Sequence, residues 1–243
     1  MKNFLKKSIK NLSDTRQLSF LWKFPNRIVD FIQRANHKVV VSYDDPERSK
    51  VIDLIFSIQK ESQVYLFTNE GYQIYMAVRK TEKILGDIAE VGCFKGGSTK
   101  IICEAKGNKT LHVFDTFDGL PDLTPDDDEK RFHKGQYSSS IESVKHYLKQ
   151  YDNVNFYKGF FPSTAGPVKD LNFSFVHLDV DLYKTTLEGI KFFYPRMSKG
   201  GVMISHDYID TPGVKKAFDE FFLDMPVPVI EMSGTQCMVI KLE

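Results

Sequence analysis

The stretch AEVGCFKGGSTK at residues 89–100 contains the pattern that most constrains the fold of this chain. An apolar run leads to Glu90, and three glycines follow at positions 92, 96 and 97. This order predicts a buried strand in GDIAEVG, a tight loop, and a helix in GGSTKIICEA, for which Ser98 and Thr99 are candidate caps. A glycine-rich loop between a strand and a helix is typical of a ligand-binding site.

Strand and helix patterns alternate from this stretch to the C-terminus. Strands are predicted in TLHVFD, NVNFYKG, FSFVHLD and GGVMISHD, and helices in SIESVKHYLKQY, TTLEGIKFFYPRM and PGVKKAFDEFF. The last two strands, VPVIEM and QCMVIKL, are separated only by SGT, which is too short for a parallel crossover and predicts a hairpin. We therefore expect an α/β fold with a seven-stranded, mostly parallel sheet that ends in an antiparallel hairpin.

Length and composition limit the class of protein. The chain has 243 residues, with 42% hydrophobic and 27% charged residues, as in a globular domain with a sizeable core. Its three cysteines are odd in number and widely spaced, which favours a reducing compartment. We find no signal-peptide pattern and no apolar run long enough to span a membrane, and we predict a cytoplasmic protein.

The N-terminal segment differs in charge from the rest. Residues 1–40 carry nine Lys or Arg against two Asp, a net charge of 9 − 2 = +7, interleaved with apolar residues. One interpretation is an amphipathic helix at an anionic membrane or a lipid-linked substrate, which would make the protein membrane-peripheral. The other is a helix that packs on the body of the protein or on a sister subunit. We predict a basic helical extension at residues 1–68, a catalytic domain at residues 69–243, and a homo-oligomer.

The glycine loop matches neither common phosphate-binding motif. The chain contains no GxxxxGK[ST] sequence, and GCFKGG does not fit GxGxxG, so a ligand without phosphate is expected. Helix amides could face the carboxylate of an amino-acid end, while Glu90 attracts its ammonium group. Asp115 ends the second strand and could accept both ribose hydroxyls. S-adenosylmethionine combines these features, although Glu90 could instead cap a helix and Asp115 could form a turn.

Three aspartates follow two neighbouring predicted strands. Asp179 and Asp181 lie at the end of FSFVHLD, and Asp207 ends GGVMISHD. Because such carboxylates repel one another, the pattern predicts a divalent cation, with magnesium first and manganese or calcium next. The alternative is that they cap helices or pair with Lys184, Lys215 and Lys216.

Several segments together carry a family resemblance. AEVGCFKGGST, FDTFDGLP, FYKGFFPST, FVHLDVDLYKTTLEGIKFFYPRMSKGGVMISHDY and PGVKKAFDEFF resemble the macrocin and mycinamicin type O-methyltransferase family of class I S-adenosylmethionine-dependent methyltransferases. The resemblance implies a Rossmann-like fold and methylation of sugar hydroxyls on macrolides and related natural products, with many relatives in polysaccharide pathways.

The resemblance also implies roles for individual residues. The methionine end would lie against Glu90, Gly92 and Ser98, the ribose against Asp115, and the adenine against Gly159 and Phe160. The complete predicted cofactor-binding set is Glu90, Gly92, Phe94, Gly96, Ser98, Asp115, Thr116, Gly159, Phe160 and Asp179.

The predicted metal ligands are Asp179, Asp181, His206 and Asp207. His206 departs from the family, which has two acids before the tyrosine, and histidine suits manganese, iron or zinc better than magnesium. The candidates for the catalytic base are Asp179, His206 and His133.

His133 belongs to a segment without a clear helix or strand, residues 121–140, which we interpret as a lid. The lid could bring His133 or Tyr137 to the acceptor, and Asp126 to Asp128 are expected to form a solvated charge run. Upstream, FTNEGYQIYMAVRKTEK predicts a helix whose start, Thr68 to Tyr72, either caps it or lies over the cofactor.

Three functions remain open from the sequence. The first is a metal-assisted methyltransferase that acts on a small-molecule or glycan hydroxyl. The second is an NAD-dependent oxidoreductase, disfavoured by the missing GxGxxG motif. The third is a membrane-proximal binding protein that keeps the fold without turnover. Nucleic acid is not an expected partner, because the chain beyond residue 40 is net acidic.

Overall fold

The computed structural model describes residues 45–243, and the predicted helices and membrane contact of residues 1–40 lie outside this range. The helices are α1 (Pro46–Glu61), α2 (Thr68–Lys80), α3 (Gly97–Ala105), α4 (Ile141–Tyr147), α5 (Tyr183–Phe193) and α6 (Pro212–Phe222). The strands are β1 (Asp87–Val91), β2 (Leu111–Asp115), β3 (Val154–Lys158), β4 (Phe173–Leu178), β5 (Met197–Ser205), β6 (Ile230–Glu231) and β7 (Cys237–Ile240).

The seven strands form one sheet in the order β3-β2-β1-β4-β5-β7-β6. Strands β1 to β5 are parallel, whereas β7 runs antiparallel to both β5 and β6. The expected fold class, including the C-terminal hairpin, is therefore confirmed. Because the chain order reverses between β1 and β4, their carboxyl ends form the crevice where ligands bind in such sheets.

Helices cover both faces of the sheet. Residues of α1 to α4, such as Ile55, Ile74 and Ile101, pack in one buried cluster with one face of the strands. Helices α5 and α6 pack on the other face, where Phe193 and Phe218 are fully buried. Strand β4 is buried at all six positions, as its apolar sequence predicts, because it lies between two strands and beneath two helix layers.

The N-terminal part of the described chain joins the same core. Helix α1 contributes Val51, Ile55 and Ile58 to the cluster that contains α2 and α3. The described residues, 45–243, belong to one compact unit. The division at residue 68 into an extension and a catalytic domain stays a prediction. Within residues 45–243, no helix is both long enough and apolar enough to cross a bilayer.

The helix that follows the glycine loop begins differently from the prediction. Ser98 and Thr99 lie inside the first turn of α3, and Gly96 occupies the N-cap position with a left-handed φ of 79°. The predicted capping by Ser98 or Thr99 is therefore wrong. A glycine takes this position because a left-handed backbone is strained for residues with a side chain.

Candidate active site

The ends of neighbouring strands are joined by hydrogen bonds one residue beyond the sheet. The amide of Gly92 donates to the carbonyl of Phe114 at 2.8 Å, and that of Asp179 donates to the carbonyl of Val91 at 2.9 Å. The amide of His206 likewise donates to the carbonyl of Leu178 at 2.9 Å. The first residues after β1, β4 and β5 thus lie side by side at the crevice.

Gly92 is required by both its backbone conformation and its neighbour. Its φ is 86°, and a β-carbon built on it would lie 1.8 Å from the carbonyl oxygen of Asp179. No side chain fits at that distance, so the glycine loop and the loop after β4 can meet only through glycine. The predicted donor-binding loop and the predicted acid cluster are therefore in direct contact.

Asp115 holds the glycine loop in shape. Its Oδ2 accepts hydrogen bonds from the amides of Cys93 at 2.8 Å and Phe94 at 2.9 Å, and its Oδ1 accepts from the amide of Phe117 at 2.6 Å. Burial raises the pKa of Asp115, and these amide hydrogen bonds oppose the shift. The carboxylate thus binds the glycine loop as well as the turn that follows β2. Its contact with a ribose stays a prediction, which the remaining lone pairs of its oxygens permit.

Substitution Asp115→Asn is expected to weaken S-adenosylmethionine binding by about tenfold or more and to destabilise the fold by about 1–3 kcal/mol, because an amide NH₂ would face backbone N–H donors. Isothermal titration and thermal melting would measure both effects. Asp118→Asn is the matched control, since Asp118 is exposed and pairs with Lys158 at 3.2 Å. Unchanged donor affinity in Asp115→Asn would contradict the assigned role.

Glu90 is fully buried at the end of β1. Its Oε2 accepts from the Thr99 hydroxyl at 2.6 Å, and its Oε1 lies 3.1 Å from Nδ1 of His177. The carboxylate therefore connects β1 to α3 and β4 beneath the glycine loop. The attraction of the Glu90 carboxylate for an ammonium group stays a prediction. The carboxylate would exert that attraction from its position beneath the glycine loop.

The other residues predicted to bind S-adenosylmethionine follow the carboxyl ends of the strands or lie at the start of α3. Ser98 is buried in the first turn of α3. The hydroxyl of Thr116 donates to the carbonyl of Gly119 at 2.7 Å. The amide of Gly159 donates to the backbone carbonyl of Asp115 at 2.9 Å. Phe160 lines a small pocket with Pro121, Asp122, Asp127, Leu182, Lys184 and Thr185. The adenine contact of Phe160 stays a prediction. Because Pro121, Asp122 and Asp127 belong to the lid, the lid borders the pocket that Phe160 lines.

Three of the four predicted metal ligands converge. One donor atom each from Asp179, His206 and Asp207 lies within 4.8 Å of the other two. Nδ1 of His206 is 3.0 Å from Oδ2 of Asp207 and 3.4 Å from Oδ1 of Asp179. The alternative of lysine pairing is not realised for Lys215 and Lys216, which contact Asp219 and Asp126. These three side chains form the cluster that we call the acid–histidine site.

Charge and burial act strongly within the acid–histidine site. Burial lowers the pKa of His206, but the charge of Asp179 and contacts with Asp207 and Glu70 outweigh it and hold the pKa well above its usual value. Burial raises the pKa of Asp207, yet contact with His206 brings the pKa below the usual value. The imidazole therefore offsets carboxylate charge at this crevice.

Asp181 lies beside the acid–histidine site, outside its three close donors. Burial, followed by the charges of Asp207 and Asp179, raises its pKa well above the usual value. Its backbone is left-handed, with a φ of 59°, so it is not a continuation of β4. A turn after β4, and not the strand itself, brings Asp181 close to Asp207. Its role as a metal ligand stays a prediction.

Glu70 is a member of the site that the sequence did not single out. It is fully buried near the start of α2, where its Oε2 accepts from the amide of Phe67 at 2.7 Å and lies 3.2 Å from Nε2 of His206. Its Oε1 accepts from the amide of Thr235 at 2.7 Å and from its hydroxyl at 3.0 Å. The capping pattern at Thr68 to Tyr72 could have identified Glu70, but no sequence signal relates it to a histidine 136 positions away.

The lid is attached to the crevice by specific contacts. Residues 121–140 contain no helix or strand, as predicted. Asp127 accepts from the amide of Tyr183 at 2.7 Å at the start of α5, and Asp126 pairs with Lys216 at 2.6 Å. The expected solvated charge run is thus wrong for these two residues. Arg131 lies 3.7 Å from Asp207, so the lid reaches the acid–histidine site.

The two predicted lid residues have different environments. His133 is exposed, and its described hydrogen bonds come from its backbone: its amide donates to the Gln136 side chain at 3.0 Å, and its carbonyl accepts from the Gln136 amide at 3.2 Å. Tyr137 packs edge-on against Phe94 of the glycine loop, with ring centroids 5.8 Å apart. Burial and the charges of Asp181 and Asp207 raise the pKa of Tyr137. Tyr137 therefore lies near the crevice, whereas the catalytic role of His133 stays a prediction without a supporting contact.

Backbone strain is concentrated at this crevice. Among the described residues, the non-glycine positions with left-handed φ are Phe94, Phe117, Tyr137, Asn153, Asp181 and Asp207. All but Asn153 lie in the glycine loop, the lid or the loops after β2, β4 and β5. Such strain persists only where the surrounding structure imposes it, and it is common at functional sites.

Comparison with known proteins gives one consistent result. The sequence profile of macrocin-O-methyltransferase (TylF) matches residues 72–235. A tetracenomycin-derivative 4'-O-methyltransferase of Streptomyces olivaceus, whose substrate carries a dimethoxy-rhamnosyl group, is 31% identical over 51% of this chain and 53% of its own length. Mycinamicin III 3''-O-methyltransferase of Micromonospora griseorubida is 28% identical over 56% of this chain and 60% of its own length. The chain thus spans little more than half the length of these relatives.

The fold has solved counterparts. The structure of the O-methyltransferase NovP superposes with a TM-score of 0.61 and 26% identity, over 71% of this chain and 79% of NovP. The calicheamicin methyltransferase CalS11 superposes with a TM-score of 0.59, over 82% of this chain and 94% of its own, at 16% identity. The second likeness supports the fold alone.

Proposed function

The chain belongs to the macrocin-O-methyltransferase (TylF) family, and on that basis we propose that it transfers a methyl group from S-adenosylmethionine to a sugar hydroxyl of a glycosylated metabolite or polysaccharide. The observation that carries the proposal is the direct contact, at Gly92 and Asp179, between a phosphate-free glycine loop and the acid–histidine site. One site could thus hold a methyl donor beside groups that act on a hydroxyl.

The donor site fits a zwitterionic nucleoside. The amides at the start of α3 offer donors for a carboxylate, and the buried carboxylates Glu90 and Asp115 offer negative charge for an ammonium group and acceptors for ribose hydroxyls. A pyrophosphate would meet these two acids and no lysine of a phosphate loop. The proposed donor-binding residues remain Glu90, Gly92, Phe94, Gly96, Ser98, Asp115, Thr116, Gly159, Phe160 and Asp179.

The acid–histidine site fits a divalent metal ion. Two carboxylates and one imidazole converge, and Nδ1 of His206 is buried without a hydrogen-bond partner despite its short distances to both acids. We propose Asp179, His206 and Asp207 as ligands, with Asp181 adjacent. A bound cation would offset the carboxylate charge that Arg131 and His206 face in this structure.

Reaction at this site requires positioning and removal of one proton. When bound, the sulfonium cofactor supplies an electrophilic methyl group, and a divalent ion favours ionisation of a nearby hydroxyl. The backbone carbonyl of Asp179 faces the glycine loop, and its carboxylate belongs to the acid–histidine site, which supports Asp179 as the group that would orient the acceptor hydroxyl or take its proton. His206 stays the second candidate base, a role that it could fill only without a metal ion on its Nδ1, and His133 would need movement of the lid. The lid and Tyr137 would exclude water and contact the acceptor.

The identity of the acceptor is inferred from the relatives. The first relative named above acts, by its name, on a tetracenomycin that carries a rhamnosyl group, and the second acts at the 3'' position of mycinamicin III. We propose an acceptor of the same kind, a hydroxyl of a glycosyl group, and we assign its selection to the lid. A homo-oligomer, a cytoplasmic location and a membrane contact through residues 1–40 stay predictions.

The test is binding and turnover with the purified full chain. We expect titration with S-adenosylmethionine to show binding, titration with NAD to show none, and a panel of glycosides to yield a methylated product that chelator suppresses. Mass spectrometry would detect a gain of one methyl group. Binding of NAD alone would support the oxidoreductase alternative. Binding of S-adenosylmethionine without methylation of any glycoside, in any divalent metal, would support the binding protein without turnover.

A further inference from the structure

The imidazole of His206 is held from the side opposite the two aspartates. Nε2 lies 3.2 Å from Oε2 of Glu70, while Nδ1 faces Asp179 and Asp207. The histidine side chain is 8% exposed and that of Glu70 is 0% exposed. When a cation is bound, the carboxylate at Nε2 would keep the proton on that nitrogen, and the lone pair of Nδ1 would then point into the acid–histidine site.

Glu70 is itself fixed by three further contacts. The amides of Phe67 and Thr235 both donate to it at 2.7 Å, and the Thr235 hydroxyl donates at 3.0 Å. Gly234 leaves it room, because a β-carbon there would lie 2.4 Å from Oε1. The carboxylate therefore cannot turn away from His206 without losing hydrogen bonds from both α2 and the β6–β7 turn. Such a rigid carboxylate–histidine pair is the arrangement that commonly orients a metal-binding imidazole.

Nδ1 is the atom of His206 that faces the two aspartates of the acid–histidine site. It is buried and has no hydrogen-bond partner among the described residues, although one carboxylate oxygen of Asp207 lies 3.0 Å away and one of Asp179 lies 3.4 Å away. An unpaired buried nitrogen costs free energy unless something binds it. A cation among the three donor atoms would satisfy this nitrogen and both carboxylates together.

The donor set indicates which cation. Mg²⁺ prefers oxygen ligands and near-ideal octahedral geometry, whereas imidazole is a good ligand for Mn²⁺, Fe²⁺, Co²⁺ and Zn²⁺. We propose that the acid–histidine site selects a first-row transition-metal ion over Mg²⁺, with Nδ1 of His206 as a ligand and Glu70 as the positioning residue that orients it. The inference rests on the metal site of the proposed function and adds which metal the site prefers and why.

Metal binding is measured directly, without turnover. The full chain is freed of metal with chelator, dialysed, and titrated with Mn²⁺, and the unbound ion is followed by electron paramagnetic resonance, with Mg²⁺ as competitor. In the His206→Asp variant, we expect the preference for Mn²⁺ over Mg²⁺ to fall by about tenfold or more, because an oxygen donor replaces the nitrogen. His146→Asp is the matched control, since His146 is exposed on α4. An unchanged preference in His206→Asp would overturn the proposal.

Spin-echo spectroscopy separates a ligand from a structural residue. Bound Mn²⁺ in the unmodified chain is expected to show coupling to one ¹⁴N nucleus, and His206→Asp is expected to lose it. Absence of nitrogen coupling in the unmodified chain would mean that the imidazole is only a counter-charge for the acids, and the proposal would fail.

The Glu70→Gln variant tests the positioning role. We expect Mn²⁺ affinity to fall by about 10–100-fold, with a smaller loss for Mg²⁺, because the imidazole loses its fixed orientation. Equal losses for both ions, at an unchanged melting temperature, would contradict the role of Glu70. Titration of the same samples with S-adenosylmethionine distinguishes a failure of this inference from a failure of the proposed function. Donor binding and methyl transfer without transition-metal preference would overturn this inference alone, whereas absent donor binding would overturn the proposed function.

Discussion

Substitution Asp179→Asn is expected to lower kcat for methyl transfer by about 10³-fold, with a smaller loss of donor affinity. The amide keeps the shape of the side chain but removes its negative charge and its capacity to take a proton. Asp179 is the residue where the two halves of the site meet, since its carbonyl approaches Gly92 and its carboxylate lies 3.4 Å from Nδ1 of His206. The effect should therefore appear in the chemical step.

Single-turnover kinetics on enzyme saturated with S-adenosylmethionine would measure this loss. The control is Asp170→Asn, because Asp170 is exposed in the turn before β4, and its rate should match that of the unmodified chain. Melting curves would show whether Asp179→Asn remains folded. A folded Asp179→Asn variant with a rate within about threefold of the unmodified chain would remove Asp179 from the mechanism.

The sheet could be predicted from the sequence because its signals are local. Apolar runs such as FSFVHLD mark strands buried on both faces, and the helix predicted in PGVKKAFDEFF matches α6 at both ends. The hairpin followed from the three-residue gap before QCMVIKL, although β6 proves to be only two residues long. The sequence did not predict where helix α1 begins and ends. Its apolar residues Val51, Ile55 and Ile58 are explained only by the buried cluster that they join in the folded chain.

The site was predicted in part for the same reason. Asp179 and Asp207 follow strands that are neighbours in a doubly wound sheet, so strand order alone brings their backbones together. Glu70 is different, because its contact with His206 depends on how α2 packs over the ends of β5 and β7. The lid contacts of Asp127 and Arg131 also depend on tertiary packing, which a segment without periodic pattern does not encode.

The capping error at α3 has a physical cause. Ser98 and Thr99 suit an N-cap by residue type, but the loop must turn beneath the crevice, and a left-handed residue at Gly96 makes that turn. Thr99 is thereby placed inside the first turn of α3, where its hydroxyl donates to Glu90 at 2.6 Å. Residue preference was outweighed by the geometry of the loop.

Substitution Gly92→Ala is expected to destabilise the chain by about 2–5 kcal/mol and to lower S-adenosylmethionine affinity by about tenfold or more. Two costs add at this position. The φ of 86° is strained for alanine, and the new β-carbon would lie 1.8 Å from the carbonyl oxygen of Asp179. The backbone oxygen cannot move as a flexible side chain would, so the glycine loop and the loop after β4 must separate.

Thermal melting and donor titration would measure the two effects of Gly92→Ala, and a fall in Tm of about 5–15 °C corresponds to the expected destabilisation. The matched control is Gly166→Ala, because a β-carbon at Gly166 would meet nothing within 4 Å and its φ is not left-handed. That control should melt at or slightly above the temperature of the unmodified chain. Gly92→Ala could instead have the same Tm and the same S-adenosylmethionine affinity as Gly166→Ala. In that case the close approach of the two loops would not be what joins the S-adenosylmethionine site to the acid–histidine site.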